Sequence, residues 1–203
     1  MQNIMFIRHG ESVINVNRIV SHDVGVFPLT EKGREQATIV GAQLKGISVK
    51  TVYCSPMLRA KETADIIAKA LGCGITVDNR LRERHMGELN NKSIEGLGDL
   101  RSVMIKNGFK GLENWKSLND RVFEFLAEKR EENIIAVTHH DPVKVAVAHA
   151  MGLLDEISAW GITISNASLS IINKESKYRV IAFAIPPLDC MLKEAISRIP
   201  GRN

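Results

Sequence analysis

Residues able to do chemistry appear early in the chain, at Arg8-His9-Gly10-Glu11-Ser12, directly behind the apolar run Ile4-Met5-Phe6-Ile7. The run reads as a buried strand, and Gly10 breaks it. Arg8 and His9 therefore fall where a strand ends and the chain turns, the place where ligands gather in an α/β sheet. An imidazole beside a guanidinium there suits an anion and a nucleophile. The plain alternative is a surface pair next to a loop glycine. Thr138-His139-His140 repeats the arrangement behind the apolar run at 134–137. A helix starting at Asp141-Pro142, with Asp141 as its cap, would aim backbone N–H groups and its positive dipole end at an anion there.

Two more segments add to this. In Ser55-Pro56-Met57-Leu58-Arg59-Ala60, Arg59 lies one turn into a helix, near the apolar stripe of Ala60, Ala64 and Ile67. A guanidinium near a strand end can grip phosphate with two parallel hydrogen bonds; otherwise Arg59 is an exposed helix arginine. Arg82-Glu83-Arg84-His85-Met86-Gly87 places a carboxyl between two arginines. That is a surface ion pair or, close to a phosphate, a proton donor whose pKa the phosphate charge lifts toward working pH. Two histidines, several arginines and a carboxyl, with no metal-ligand spacing, form a complete set for phosphoryl transfer without a metal. A neutral imidazole attacks phosphorus, arginines neutralise the equatorial oxygens, and the carboxylic acid protonates the departing alkoxide.

These residues need a scaffold, and the pattern supplies one. Apolar runs at 4–7, 51–53, 134–137, 168–172 and 179–183 read as strands. Helices are expected between the first four. One starts at Thr30 as N-cap, with Ala37, Val40, Gly41 and Leu44 on its inner face. One opens at Ser55-Pro56 and stops at Gly72. One carries Trp115, Leu118, Val122, Phe125 and Leu126. Alternation of this kind predicts an α/β fold: three layers, with a mainly parallel sheet flanked by helices. Residues 80–111, rich in Gly, Asn and charge, read as a loop-rich lid or insert in a single domain spanning 1–203. An amphipathic piece at 191–196 is expected to dock on that domain.

Composition narrows the class. The chain has 203 residues, 44% of them hydrophobic and 25% charged, as in ordinary globular proteins. Lys and Arg number 27 against 23 Asp and Glu, a formal charge of +4. The excess is mild and has no long basic run, so it suits small anions and does not call for nucleic acid. No stretch reaches the roughly 20 apolar residues of a membrane helix, and no signal peptide is evident. Cys54, Cys73 and Cys190 are odd in number and far apart, so they are expected to be buried, inert thiols in a reducing cytoplasm. A homodimer is left open.

Taken in order, the motifs resemble those of the histidine phosphatase superfamily, also called the phosphoglycerate mutase-like family. The matching segments are Arg8-His9-Gly10-Glu11-Ser12 with Asn15, Pro28-Leu29-Thr30-Glu31-Lys32-Gly33, Ser55-Pro56 through Ala64, Leu81-Arg82-Glu83, and Val137-Thr138-His139. The resemblance implies that His9 becomes phosphorylated, that Arg8, Arg59 and His139 form the phosphate pocket, and that Glu83 gives and takes the proton. It adds Ser12, Asn15 and Arg84 as substrate contacts; His140, outside the family pattern, is either a further contact at the pocket rim or, the preferred reading, the cap of the following helix.

The family holds both mutases and phosphatases. Glu83-Arg84-His85-Met86-Gly87 resembles the Glu-Arg-His-Tyr-Gly of cofactor-dependent phosphoglycerate mutases, with Met86 in place of Tyr. That points to interconversion of 2- and 3-phosphoglycerate, with 2,3-bisphosphoglycerate as phosphoryl primer. Against it, the segment after residue 90 lacks the paired arginines of typical mutases. His140-Asp141 departs from the usual Gly, and Ser165-Asn166-Ala167-Ser168 looks more like the small phosphatases. A phosphatase using the same phosphohistidine is therefore the alternative expectation. A non-catalytic phosphate-binding regulator would have lost His9, Glu83 or His139. A nucleotide-binding regulator would need a Gly-rich phosphate loop, and none appears.

Overall fold

The computed structural model describes residues 2–95, 108–129 and 132–187. The expected docking piece at 191–196, Cys190 and the middle of the 80–111 segment lie outside them. Six strands form one sheet: β1 (Gln2–Arg8), β3 (Thr51–Cys54), β4 (Gly74–Val77), β6 (Asn133–Thr138), β7 (Leu169–Lys174) and β8 (Tyr178–Ile185). Their order is β4-β3-β6-β1-β7-β8. The first four in that order run parallel, while β7 and β8 join antiparallel at the β1 edge. The expected mainly parallel α/β sheet is present.

Side chains alternate between the faces of a strand, and here both faces are covered by helices, which is why β1 and β6 read as unbroken apolar runs. Met5, Ile7, Val52, Ile135 and Val137 face one cluster, packed with Val40 and Leu44 around α2 (Glu31–Gln43) and with Ala60, Ala64 and Ile67 of α3 (Leu58–Leu71). Ile4, Phe6, Tyr53, Ile134 and Ala136 face the other. Their partners are Leu118, Val122 and Phe125 of α4 (Trp115–Glu128) and Val143, Ala146 and Val147 of α5 (His140–Ala150). A one-residue slip of β1 would exchange the two sets and misplace everything that follows it.

Local signals explain most helix ends. Thr30 caps α2 by accepting the Gly33 N–H, and Gly72 ends α3 in the left-handed region at φ 71°. Two expected starts are displaced. Helix α3 begins at Leu58 with Met57 as N-cap, while the Ser55 hydroxyl accepts the Met57 N–H and bonds His139. Helix α5 begins at His140 with His139 as N-cap, so Asp141 is not the cap; its carboxylate instead binds the His140 ring. The strand β4 escaped the sequence reading. It is a short edge strand exposed along its length, so it shows no buried alternation.

Around the mouth of the sheet lie α1 (Val13–Val16) and a two-stranded ribbon of β2 (Ile19–Val20) with β5 (Lys92–Ser93). The turn after β1 packs tightly on the start of α2. A Cβ on Gly33 would collide with the Glu11 carbonyl oxygen, and one on Gly10 with the Gly33 oxygen. Both positions require the bare backbone of glycine. Cys54 is buried, as expected, and burial pushes its thiol up to about 11. Cys73 is only half-buried, a departure from the expected burial, because it sits just past the end of α3. Among the described residues no helix is long and apolar enough to cross a membrane.

Candidate active site

Strand register builds the site. Arg8 of β1 pairs with Thr138 of β6, so the next residues, His9 and His139, emerge side by side. The His9 N–H donates to Thr138 O at 2.9 Å, and the Ser55 N–H to Val137 O at 3.0 Å. Three adjacent parallel strands thus deliver Ser55, His139 and His9 in a row at their carboxyl ends, where α/β sheets hold their ligands. The imidazoles of His9 and His139 meet edge to face, 5.1 Å between centroids.

The tautomer of His9 is set by its neighbours. Its Nδ1 lies 2.7 Å from Gly10 O, an acceptor, so Nδ1 carries the hydrogen. Its Nε2 accepts from Arg59 Nε at 3.2 Å, which requires a lone pair there. Burial, then the charges of Arg59 and Arg8, hold the His9 pKa well below the ordinary 6.5. His9 is therefore a neutral imidazole presenting Nε2, the form a nucleophile needs. Burial and the same two cations depress His139 likewise. His139 Nε2 shares a 2.7 Å hydrogen bond with Ser55 Oγ. Thr63 Oγ1 accepts the Gly10 N–H, and Asn166 donates to His9 O and to Asn15 Oδ1. The backbone around the nucleophile is thereby tied to α3 and to the loop before β7.

Arg59 is 1% exposed, so it is not the exposed helix arginine. It donates to Ser21 O at 3.0 Å, and burial lowers it to about 10, still a cation at neutral pH. Arg8 donates to Ile164 O. Two of the buried nitrogens without a hydrogen-bond partner, Arg8 Nε and His139 Nδ1, belong to this cluster. Buried polar atoms are seldom left unsatisfied, and these two stand beside the Arg59 guanidinium.

Glu83 lies buried across the cavity, 8% exposed. Its Oε1 accepts the N–H groups of Arg84 and Asp141, and its Oε2 that of His140. The first N–H groups of α5 thus meet this carboxyl. Burial raises the Glu83 pKa, and the Asp141 charge adds to it. Burial would also raise Asp141, but the hydrogen bond and charge of His140, with Arg84 and Lys144, overcome it and leave Asp141 ionised well below the usual range. Of the two adjacent carboxyls, Glu83 is the one placed to carry a proton. Arg121 holds the segment in place by donating to the carbonyls of Arg80, Arg82 and Glu83.

These groups open on a cavity of about 710 Å³. Arg8, His9, Asn15, Arg59 and Asn166 form its phosphate-sized end. Ile14, Ile19, Val20, Met86 and Ile94 make an apolar wall, and Arg84, His140, Asp141, Lys144 and Glu156 a charged one. Of the expected residues, Arg8, His9, Asn15, Arg59, Glu83, Arg84 and His140 line it. His140 is on the wall in the first helical turn and is not the cap. His139 stands behind His9, fully buried. Ser12 is also fully buried, and its hydroxyl donates to Asn15 Oδ1, so it orients Asn15 from outside the wall. Ser55, Asn166, Lys144, Asp141 and Glu156 were not singled out as site residues. Ser55, Asp141 and Asn166 lay in segments that already drew notice; Lys144 and Glu156 did not. Among the described residues, no group of three or more His, Cys, Asp or Glu is placed to hold a metal ion.

Comparison with known proteins agrees with this geometry. The family description "Histidine phosphatase superfamily (branch 1)" matches residues 4–184. A 2,3-bisphosphoglycerate-dependent phosphoglycerate mutase of Thermoplasma acidophilum is 38% identical over 179 residues, covering 86% of this chain and 88% of that one. Bacillus stearothermophilus YhfR superposes with a TM-score of 0.77 at 25% identity, over 91% of this chain and 98% of that one. The α-ribazole phosphatase of Shigella flexneri superposes with a TM-score of 0.76 at 22% identity, over 93% of this chain and all of that one, and so shares the fold. The chain belongs to the histidine phosphatase superfamily.

Proposed function

We propose that this protein transfers phosphoryl groups of small phosphate monoesters through a phosphohistidine at His9, without a metal, as a phosphoglycerate mutase-type enzyme. The observation that carries the reading is the neutral His9 imidazole with Nε2 fixed as acceptor, set among Arg8, Arg59 and His139 and sharing a cavity with Glu83.

A phosphate entering this end draws the Arg8 and Arg59 guanidiniums onto its oxygens, and the Arg59–Nε2 hydrogen bond gives way to one on phosphate. Nε2 then attacks phosphorus. The bond between phosphorus and the ester oxygen breaks, and that oxygen takes the proton of the Glu83 carboxyl. In the second half the Glu83 carboxylate removes a proton from the acceptor hydroxyl. That oxygen attacks phosphorus as the P–N bond breaks, which restores His9. The arginines supply the fixed positive charge that a phosphoryl transition state needs.

The 38% identity to a mutase over most of both chains favours a sugar-acid hydroxyl as acceptor. In that reaction 2,3-bisphosphoglycerate supplies, when bound, the phosphoryl group that charges His9. Arg84 and Lys144, with Arg18, are the cations on the cavity wall that would meet its second anionic group. One observation favours water as acceptor instead. Arg84, the cation that would hold a substrate carboxylate, is already engaged by Glu156, which suits a phosphatase. Incubation with 3-phosphoglycerate, with and without 2,3-bisphosphoglycerate, decides between them. Formation of 2-phosphoglycerate without phosphate release is expected, and it should survive thorough chelation. Phosphate release alone would sink the mutase.

A further inference from the structure

Arg84 and Glu156 are 72 residues apart, yet they form the tightest ion pair on the cavity wall. Arg84 donates from its two terminal nitrogens to Glu156 Oε1 and Oε2, at 2.6 and 3.2 Å. Its remaining nitrogen, Nε, donates to Glu113 O at 2.6 Å, and Asp141 lies 3.9 Å away. The fork that makes arginine a carboxylate receptor is thus filled by a carboxylate of the same chain. The two partners are held unequally. Arg84 is 5% exposed and anchored through Nε and its backbone beside Glu83, whereas Glu156 is 24% exposed and sits in a turn next to Asp155, which binds Ser158. If the pair opens, Glu156 is the partner free to swing away, and Arg84 stays on the cavity wall.

We infer that Glu156 is a specificity-determining residue, an internal carboxylate that occupies the Arg84 fork and that a carboxylate-bearing phosphate ester must displace. An ester ending in a neutral hydroxyl needs no such exchange. Glu156 therefore lowers the preference of the cavity for acidic esters over neutral ones. It discriminates by competition, a form of selectivity set against one ligand class rather than for another. The charge on the wall agrees. Arg84 is held by Glu156 at 2.6 Å and lies 3.9 Å from Asp141, whose nearer partner is His140, so loss of Glu156 frees the Arg84 fork at the place a substrate carboxylate would reach.

The inference rests on the cavity binding phosphate esters, and it can be tested without turnover. Two ligands with the same phosphate and the same three carbons suffice: 3-phosphoglycerate, which ends in a carboxylate, and glycerol 3-phosphate, which ends in a hydroxymethyl. Their dissociation constants are measured by calorimetry on the full chain carrying His9→Ala, with and without Glu156→Gln or Glu156→Ala. The preference for 3-phosphoglycerate should rise tenfold or more in both Glu156 variants, about 1.4 kcal/mol. Adding Arg84→Gln should abolish the gain. A preference unchanged within twofold would overturn the role of Glu156, as would a gain that survives Arg84→Gln. Failure of either ester to bind any of these proteins would overturn this role together with the phosphate-ester reading of the cavity. The two failures are therefore distinguishable.

Discussion

The two ends of the cavity are built differently. At the phosphate end, Arg8, His9, Ser55 and His139 sit at or directly after the last residues of parallel strands, and Arg59 lies in the first turn of α3. Sheet register fixes the backbones of the first four, and the side chains of His9, Ser55, Arg59 and His139 are almost fully buried, with Arg8 partly so. At the other end, Arg84, His140, Asp141 and Glu156 come from a loop, a helix start and a turn. Ion pairs from Arg84 to Asp141 and Glu156, far away in sequence, and one between the neighbours His140 and Asp141 hold them together. On the proposed function, the sheet ends fix the nucleophile, and the choice of what hangs from the phosphate is left to loops. Loops tolerate change that a register cannot.

Substitutions at the two ends should separate these roles. The largest effect is expected for His9→Ala, which removes the proposed phosphoryl carrier. Turnover should fall by about 10⁴- to 10⁶-fold, and acid-labile labelling of the protein by a radioactive phosphate ester should vanish. Persistent labelling would place the nucleophile elsewhere. Glu83→Gln comes next, at about 10²- to 10⁴-fold for alkyl phosphates. The carboxyl works in its protonated form, and its pKa is raised by burial and by Asp141. Activity of the parent should therefore decline as pH rises through that value, and the variant should lose this limb. With p-nitrophenyl phosphate, whose leaving group needs no proton, the deficit should shrink below about tenfold. An equal deficit on both substrates would mean that Glu83 only shapes the loop.

How far the sequence reveals this division follows from where the determinants lie. His9 and His139 were legible because each follows a run of apolar residues ended by a turn, a local pattern. Arg59 and Glu83 were legible through the motifs around them. Of the charged wall only Arg84 and His140 were legible. Glu156 meets Arg84 across 72 residues, and no local spacing encodes that contact. Short-range signals also misled where a tertiary partner competed. Asp141 and Ser55 have the side chains of helix caps, yet His140 and His139 claim them. The edge strand β4 stayed hidden because an exposed strand needs no apolar alternation.

Acid should act on the phosphate end through folding. His9 and His139 are held neutral in the fold, first by burial and then by the arginine charges. In the unfolded chain they take up protons below the ordinary value of 6.5. Between that value and their lowered folded values the unfolded state binds more protons, so stability is full above pH 6.5 and is lost as pH falls below it. Each buried histidine should add up to about 1.4 kcal/mol per pH unit to the slope. Denaturant titrations between pH 7 and 5 should therefore give a shallower slope for His9→Gln than for the parent. An identical slope would mean that water reaches His9 and that the two ends are less different than they look.

The smallest effect is expected at Ser55, and it tests whether the order of strands matters to the chemistry. Ser55 Oγ accepts the Met57 N–H at 3.3 Å and shares its 2.7 Å hydrogen bond with His139 Nε2. It does not line the cavity, so it acts by positioning. Without it, His139 would have both ring nitrogens buried and unpartnered, since Nδ1 already lacks a partner. The ring would then be free to turn away from His9. A hydrogen bond of this kind is worth about 1 kcal/mol net, which is roughly fivefold in rate. Ser55→Ala should show that loss in kcat with little change in KM, because the cavity wall is untouched, and Ser55→Thr should restore it. Loss of stability with unchanged kcat would instead confine Ser55 to the fold, and the row Ser55, His139, His9 would then be two catalytic strand ends rather than three.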